Sequence, residues 1–331
     1  MHTANTQPPA APAPAPAGQR NSRLYFLLAR TPLHPGSGGS LGAIDQPVNR
    51  HVVTGHPQVP RSSLKGCLRE PARRCWGPGG TDLQDDDFYA LFGKEGANGT
   101  GMLSIQDANL LLLPVACWAG GWAWATSPSV LRRLQRDARS ASIATASDQA
   151  ALPQQVPVPA PCGAMVVKDS PLITSHGGRR LVVLLEELLD EAADTPAAAV
   201  MQPWANWLAD RVMGEEDESW REQFKQRLAV VPDDAFDLLT RTAMDIRSRI
   251  RIGKDGVAAD KALWREEYVP EDAVFYGTLS VQAVASHCLD EAKALAIPQA
   301  LELQLGGNGS VGAGWVNFRP LAAAPTPGGE A

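Results

Sequence analysis

The chain has 331 residues, 44% of them hydrophobic and 20% charged, with a formal net charge of −6. This supplies a sizeable core for about one or two domains and argues against a chain that binds nucleic acid through uniform basicity. Five cysteines are too few for a disulfide framework.

The cysteines form no Cys-x-x-Cys pair, so a structural zinc site is not expected. A reduced, cytoplasmic chain is the default reading. No apolar run reaches the roughly 18 residues that a membrane helix needs. The Pro/Ala-rich start has no basic-then-apolar leader pattern, so the sequons at Asn98 and Asn308 are not expected to carry glycans.

Along the chain, residues 1–21 and 321–331 are low-complexity Pro/Ala segments, expected to be disordered. Residues 22–29 read as a buried strand, 31–42 as a Gly-rich loop and 50–60 as a loop turning at Thr54-Gly55. Residues 62–75 read as a helix with a Ser62 N-cap. An insertion is expected at 77–101, strand over 102–114, and a short helix at 128–136. A second insertion spans about 138–240. It is loop-like over 138–170, passes from strand to helix over 181–192, and has amphipathic helices at 204–213 and 220–228. Residues 246–252 and 261–269, joined by Gly253-Lys254-Asp255-Gly256, read as a long projecting hairpin. A strand at 274–281, a helix at 282–294, and strands at 301–305 and 314–318 around a second Gly-rich loop complete the chain. Strands and helices mix without βαβ regularity, which points to an α+β fold with insertions.

Several motifs have two readings. Gly307, Gly309 and Gly312 match Gly-x-Gly-x-x-Gly, but strand rather than helix follows, so a dinucleotide site fails its context test. The loop amides suit a phosphate backbone, and a plain turn is the alternative. Ser62-Ser63-Leu64-Lys65 contains Ser-x-x-Lys without its companion motifs. A phosphate site at a helix start, with Lys65 and Arg69 on one face, competes with an ordinary capped surface helix. Asp45 is the only acid between Arg20 and Arg69. It suits a metal ion or a proton transfer, although on spacing alone a turn Asp bonding its own backbone is the more ordinary outcome. His34, His51 and His56 have no recognised ligand spacing. Trp118, Trp122 and Trp124 suit a core or an interface better than a base-stacking platform.

Taken in order, TPLHPGSG (31–38), LGAIDQPVNRHVVTGHPQVP (41–60) and SSLKGCLR (62–69) resemble the start of RAMP-superfamily CRISPR proteins. DFYALFG (87–93), LSIQDANLLLLPV (103–115), WAWATSPSVLRRLQ (122–135), RSRIRIGKDGVAADKALWREEYVP (247–270) and LQLGGNGSVGAGWV (303–316) resemble, more closely, the backbone subunit of type III-B (Cmr) effector complexes. The resemblance runs from about residue 24 to 318. It implies an RRM- or ferredoxin-like palm over 22–320, with insertions at 77–101 and 138–240 and a β-hairpin thumb at 246–269. It also implies copies stacked along a CRISPR guide RNA beside other Cmr-type subunits, and a thumb that flips a nucleotide out of the guide–target duplex. Cutting of the complementary target RNA beside each kink, with a divalent ion such as Mg2+ or Mn2+, follows from the same resemblance.

Position by position, the resemblance makes Asp45 the cleavage residue and holder of a transient metal ion. His34, Glu266 and Tyr268 become its support. Ser63, Lys65, Arg69 and Arg50 are assigned to RNA, as are Gly306, Gly307 and Gly312. Arg247, Arg249 and Arg251 would share one hairpin face at period two and join them. Arg61, Ala116, Cys117 and Ser310 depart from the family's usual residues. A non-catalytic guide-binding scaffold, the equivalent type III-A (Csm) subunit and a nucleotide-using metabolic enzyme are the competing readings.

Overall fold

The computed structural model describes residues 22–39, 42–94, 100–141, 152–191, 195–214, 216–252, 254, 257–282 and 289–321. The predicted tails lie outside the described residues except for Leu321, whose amide donates to Leu24 O. The predicted hairpin tip at 253, 255 and 256 and residues 283–288 of the predicted helix 282–294 lie outside as well.

The first half holds β1 (Ser22–Ala29), β2 (Gln58–Val59), α1 (Arg61–Cys75), α2 (Asp85–Phe92), β3 (Leu103–Ile105), β4 (Ala108–Cys117), β5 (Gly121–Thr126) and α3 (Pro128–Ser140). The middle holds β6 (Gly163–Val166), β7 (Ile173–His176), β8 (Arg179–Leu184), β9 (Glu187–Glu191), α4 (Thr195–Leu208), α5 (Glu218–Gln226), β10 (Leu228–Val230) and α6 (Asp233–Thr242). Then come β11 (Asp245–Ile252), β12 (Ala258–Tyr268), β13 (Val274–Val281), α7 (Glu291–Ala296), β14 (Leu301–Gln304) and β15 (Trp315–Pro320).

Eleven of these strands run β14-β15-β1-β13-β4-β5-β10-β6-β9-β8-β7 across one sheet, with β2 on β4 and β3 on β13. The unbroken apolar run of β1 fits its place: it is paired on both edges and buried at every residue. Helix α1 buries Leu64, Leu68 and Ala72, four residues apart, on one stripe. Helix α3 does the same with Leu131, Leu134 and Ala138.

The 138–240 segment, expected as an insertion, contributes β6 to β10 to the sheet. Two expectations are corrected. The expected passage from strand to helix over 181–192 is not found in its described part, 181–191. Leu185 takes a left-handed φ of 51°, and β8 and β9 form a hairpin whose Arg179–Asp190 and Arg180–Glu191 ion pairs span the strands. Cross-strand charge pairing of this kind favours a sheet over a helix. Helix α1 begins at Arg61 with Pro60 as its N-cap and no side-chain cap, so Ser62 does not cap it. Asp107 instead accepts the Arg61 amide at 2.7 Å.

The tryptophan cluster divides. Trp124 is fully buried and stands edge-on to Trp122 at 4.1 Å and to Trp220 at 6.0 Å. Its Nε1 donates to Asp272 O at 2.9 Å. Trp118 is 83% exposed. Trp124→Ala is expected to lower stability by about 3–5 kcal/mol, through lost transfer energy and the cavity left behind. Urea unfolding measures this, and a loss below about 1 kcal/mol would remove the cluster from the core's main supports.

Candidate active site

Strands β11 and β12 form a separate two-stranded ribbon. Its alternation sorts the faces: Arg247 and Arg249 are half-buried on one, and Ile246 and Ile250 are exposed on the other. The outer edge of β12 at the ribbon base would carry unpaired amides and carbonyls, and two loops cover it. Leu33 exchanges two backbone bonds with Val269, at 2.8 and 2.9 Å. Gln46 donates to Arg265 O and accepts from the Glu267 amide, both at 3.0 Å.

This pairing carries Asp45 to the ribbon although 220 residues separate it from Arg265. Asp45 Oδ2 accepts the Arg265 amide at 2.7 Å, and the residue stays exposed to solvent. The loop is held again from its far side. Glu267, 3% exposed, accepts the Val48 amide at 3.0 Å and pairs with Arg50. A turn Asp bonding its neighbours is therefore not what Asp45 is.

Glu266, directly inward, has a different environment. It is 4% exposed. Oε1 accepts from Trp264 Nε1 at 2.8 Å. Oε2 accepts from the Tyr268 hydroxyl at 2.6 Å, Arg249 Nε at 3.1 Å and Asn308 Nδ2 at 3.0 Å. Burial pulls its pKa up, but the hydrogen bonds from Tyr268, Trp264 and Arg249, with the Arg249 charge, outweigh it and hold the carboxyl below its ordinary range. Tyr268 is fully buried, and burial together with its bond to Glu266 raises its hydroxyl. Arg249 donates to that hydroxyl at 3.1 Å, and Arg247 lies over the ring at 4.9 Å. Glu266 and Tyr268 thus form a saturated anionic strut. Four donors to Glu266 favour its ionised form.

His34 is also buried. Its Nδ1 donates to Glu267 O at 2.6 Å, and its ring lies 5.4 Å from Tyr268. A Cβ on Gly36 would come within 2.9 Å of the imidazole Nε2. The internal bond of His34 to Glu267 fixes the loop that carries it. Gly306 needs its glycine twice over: φ is +84°, and a Cβ there would meet His34 O at 2.4 Å. The Gly307 amide donates to that same oxygen at 3.0 Å. Gly312 closes the loop at φ +84°.

The basic candidates separate as well. Arg50 is an internal strut: beyond Glu267, it donates to Gly55 O and Thr240 O at 2.9 and 3.0 Å. Lys65 donates to Leu103 O at 2.6 Å; burial and then the Arg69 charge lower its pKa. Arg69 donates to Phe92 O and Gly93 O, closing the end of α2, and lies 5.0 Å from the Phe88 ring. Lys65 and Arg69 share a face as the spacing predicts, but that face is turned onto protein. Ser63 and Arg251 are exposed. Asn308, passed over as a sequon, joins the strut. Its only sequence signal is its place between Gly307 and Gly309, in a loop that demands left-handed backbone.

The sequence profile of the RAMP superfamily matches residues 26–317. The CRISPR system Cmr endoribonuclease Cmr4 of Pyrococcus furiosus is 31% identical over 303 residues, covering 88% of this chain and 93% of the relative. The crystal structure of oligomeric Cmr4 from P. furiosus has a TM-score of 0.65 at 23% identity, covering 93% of this chain and all of that one. A chain of the type III-B Cmr-beta complex bound to cognate target RNA, seen by cryo-EM, gives 0.62 at 19% identity, covering 90% of this chain and 96% of that one. The chain belongs to the RAMP superfamily, and within it to the Cmr4 family.

Proposed function

We propose that this chain is a backbone subunit of a type III-B CRISPR effector complex in the cytoplasm. In this reading copies of it stack along the guide RNA beside other Cmr-type subunits and cut the complementary target RNA at regular intervals. Residues 22–320 form the body and 246–269 the thumb. The observation that carries the reading is Asp45: an exposed carboxylate tied through its Oδ2 to the base strand of a projecting hairpin. The P. furiosus relative is named as an endoribonuclease, and the neighbouring complex was solved on target RNA.

The chemistry follows from that placement. A nucleotide unstacked beside the hairpin frees its ribose to turn. The 2′-hydroxyl then lies in line with the adjacent phosphorus. Asp45 takes the 2′ proton as the oxygen–phosphorus bond forms, and the 5′-oxygen leaves with a proton from solvent. The products are a cyclic phosphate and a 5′-hydroxyl. Guide pairing supplies the sequence choice, because nothing in this geometry reads a base.

Among the described residues no cluster of three or more His, Cys, Asp or Glu side chains forms a metal cage. A single carboxylate fits a hydrated Mg2+ or Mn2+ that takes its remaining ligands from RNA phosphate and water. Asp45 would hold that ion, which when bound would supply charge neutralisation at the phosphate.

In a guide-loaded complex with Mg2+ or Mn2+, wild-type protein is expected to produce evenly spaced target fragments. Asp45→Ala is expected to abolish them while leaving assembly and target binding intact; wild-type cutting by the variant would remove Asp45 from the centre. A second pair of variants separates strut from RNA contact. Arg251→Ala is expected to reduce the slope of log K against log salt by about one phosphate's worth, with little effect on stability. Arg50→Ala is expected to cost roughly 3 kcal/mol by stranding the buried Glu267 charge, and to leave that slope unchanged once folded. A changed slope for Arg50→Ala would return Arg50 to the RNA surface.

A further inference from the structure

The strut beneath Asp45 is closed by a residue from a distant element. Asn308 sits in the glycine loop at φ 65°, ψ 26°. Its Nδ2 donates to Glu266 Oε2 at 3.0 Å and to the Tyr268 hydroxyl at 2.7 Å. Glu266 Oε2 can only accept when ionised, so the amide nitrogen rather than its oxygen must face it. The neighbouring Gly307 amide holds His34 O, and His34 Nδ1 holds Glu267 O. Glu266 itself flanks the Arg265 amide that holds Asp45 and the Glu267 amide that holds Gln46. The Asn308 side chain ties the glycine loop to the hairpin base that carries Asp45, and the Gly307 amide and His34 tie the 33–36 loop to both.

We infer that Asn308 is a positioning residue for RNA cleavage, latching the glycine loop to the Glu266–Tyr268 strut so that the hairpin base presents Asp45 in register with the scissile phosphate. This rests on the cleavage reading above. The latch touches neither the reacting ribose nor the phosphate. It sets where the Arg265 amide, and with it the carboxylate, stands. A displacement of about 1 Å at a reacting group is enough to slow a reaction by about a hundredfold, whereas binding of a long duplex through many phosphates is insensitive to it.

Asn308→Gly keeps the left-handed backbone available and removes only the side chain. Asn308→Asp keeps the shape but puts a carboxyl beside Glu266. The groups facing position 308 are Glu266 and Tyr268 from β12 and Arg249 from β11, with His34 against the Tyr268 ring. Ionised, the new carboxyl repels Glu266. Protonated, it donates and restores one bond, so the Asn308→Asp defect is expected to shrink as pH falls.

The experiment measures single-turnover cutting of a labelled complementary RNA by guide-loaded complex in excess, at two pH values, alongside target affinity by gel shift. Wild type, Asp45→Ala, Asn308→Gly and Asn308→Asp are compared. The expected result for Asn308→Gly is cutting slowed at least about tenfold at saturation, the effect of losing hydrogen bonds to a charged group, with affinity and assembly within twofold of wild type. Asn308→Asp is expected to cut more slowly still at high pH and to recover in part at low pH. Wild-type cutting by Asn308→Gly, with Asp45→Ala inactive, overturns the latch alone. So does an affinity loss with an unchanged rate at saturation, or a pH-independent Asn308→Asp. Equal cutting by wild type and Asp45→Ala overturns the cleavage reading and the latch together.

Discussion

The candidate site depends on how one strand edge is covered. At its base β12 is paired on one side by β11 and would leave its other side open. Segments from near the start of the chain close it, Leu33 against Val269 and Gln46 between Arg265 and Glu267. Backbone pairing is indifferent to side-chain identity, but it sets register in steps of one residue. That register puts the Asp45 carboxylate on the Arg265 amide and gives the Glu267 carboxylate to Val48 and Arg50. Breaking it would move the exposed Asp45 and orphan the buried Glu267.

Three acids sit within this small volume, and their surroundings give them different work. Glu267 is neutralised by Arg50 and serves the loop. Glu266 is surrounded by donors and serves the strut. Burial would have raised Glu266, and only the hydrogen bonds together with the Arg249 charge keep it ionised. Asp45 alone keeps access to solvent. It is environment, rather than distance in sequence, that separates these carboxylates.

Much of this is legible in the sequence, unevenly. The apolar run of β1, the four-residue spacing of Leu64 and Leu68, and the Gly-Lys-Asp-Gly turn between two alternating runs are local signals, and the elements they predict are present. The β8–β9 hairpin is not legible, because its cross-strand ion pairs and the left-handed Leu185 carry no local mark. Lys65 and Arg69 have the right spacing for a shared face, yet which surface that face meets depends on Phe92, Gly93 and Leu103 lying against it. Asn308 is invisible for the same reason: its partners lie some forty residues away in β12. Resemblance located Asp45, but only tertiary pairing explains why an isolated loop acid stands beside a hairpin.

A net charge of −6 is compatible with holding a polyanion once the acids are followed to their partners. Asp190 and Glu191 are bonded to Arg179 and Arg180 on the β8–β9 hairpin, and Asp210 to Arg221 beside α5. At the ribbon base the two buried glutamates are matched by Arg249 and Arg50. These acids are matched within the protein, while Arg251 and Arg265 stay exposed along the ribbon. Exposed charges more than a Debye length apart, about 8–10 Å, are largely screened from each other. A phosphate backbone responds to the charges it meets and not to the sum over the chain, so the global charge neither forbids RNA nor locates it.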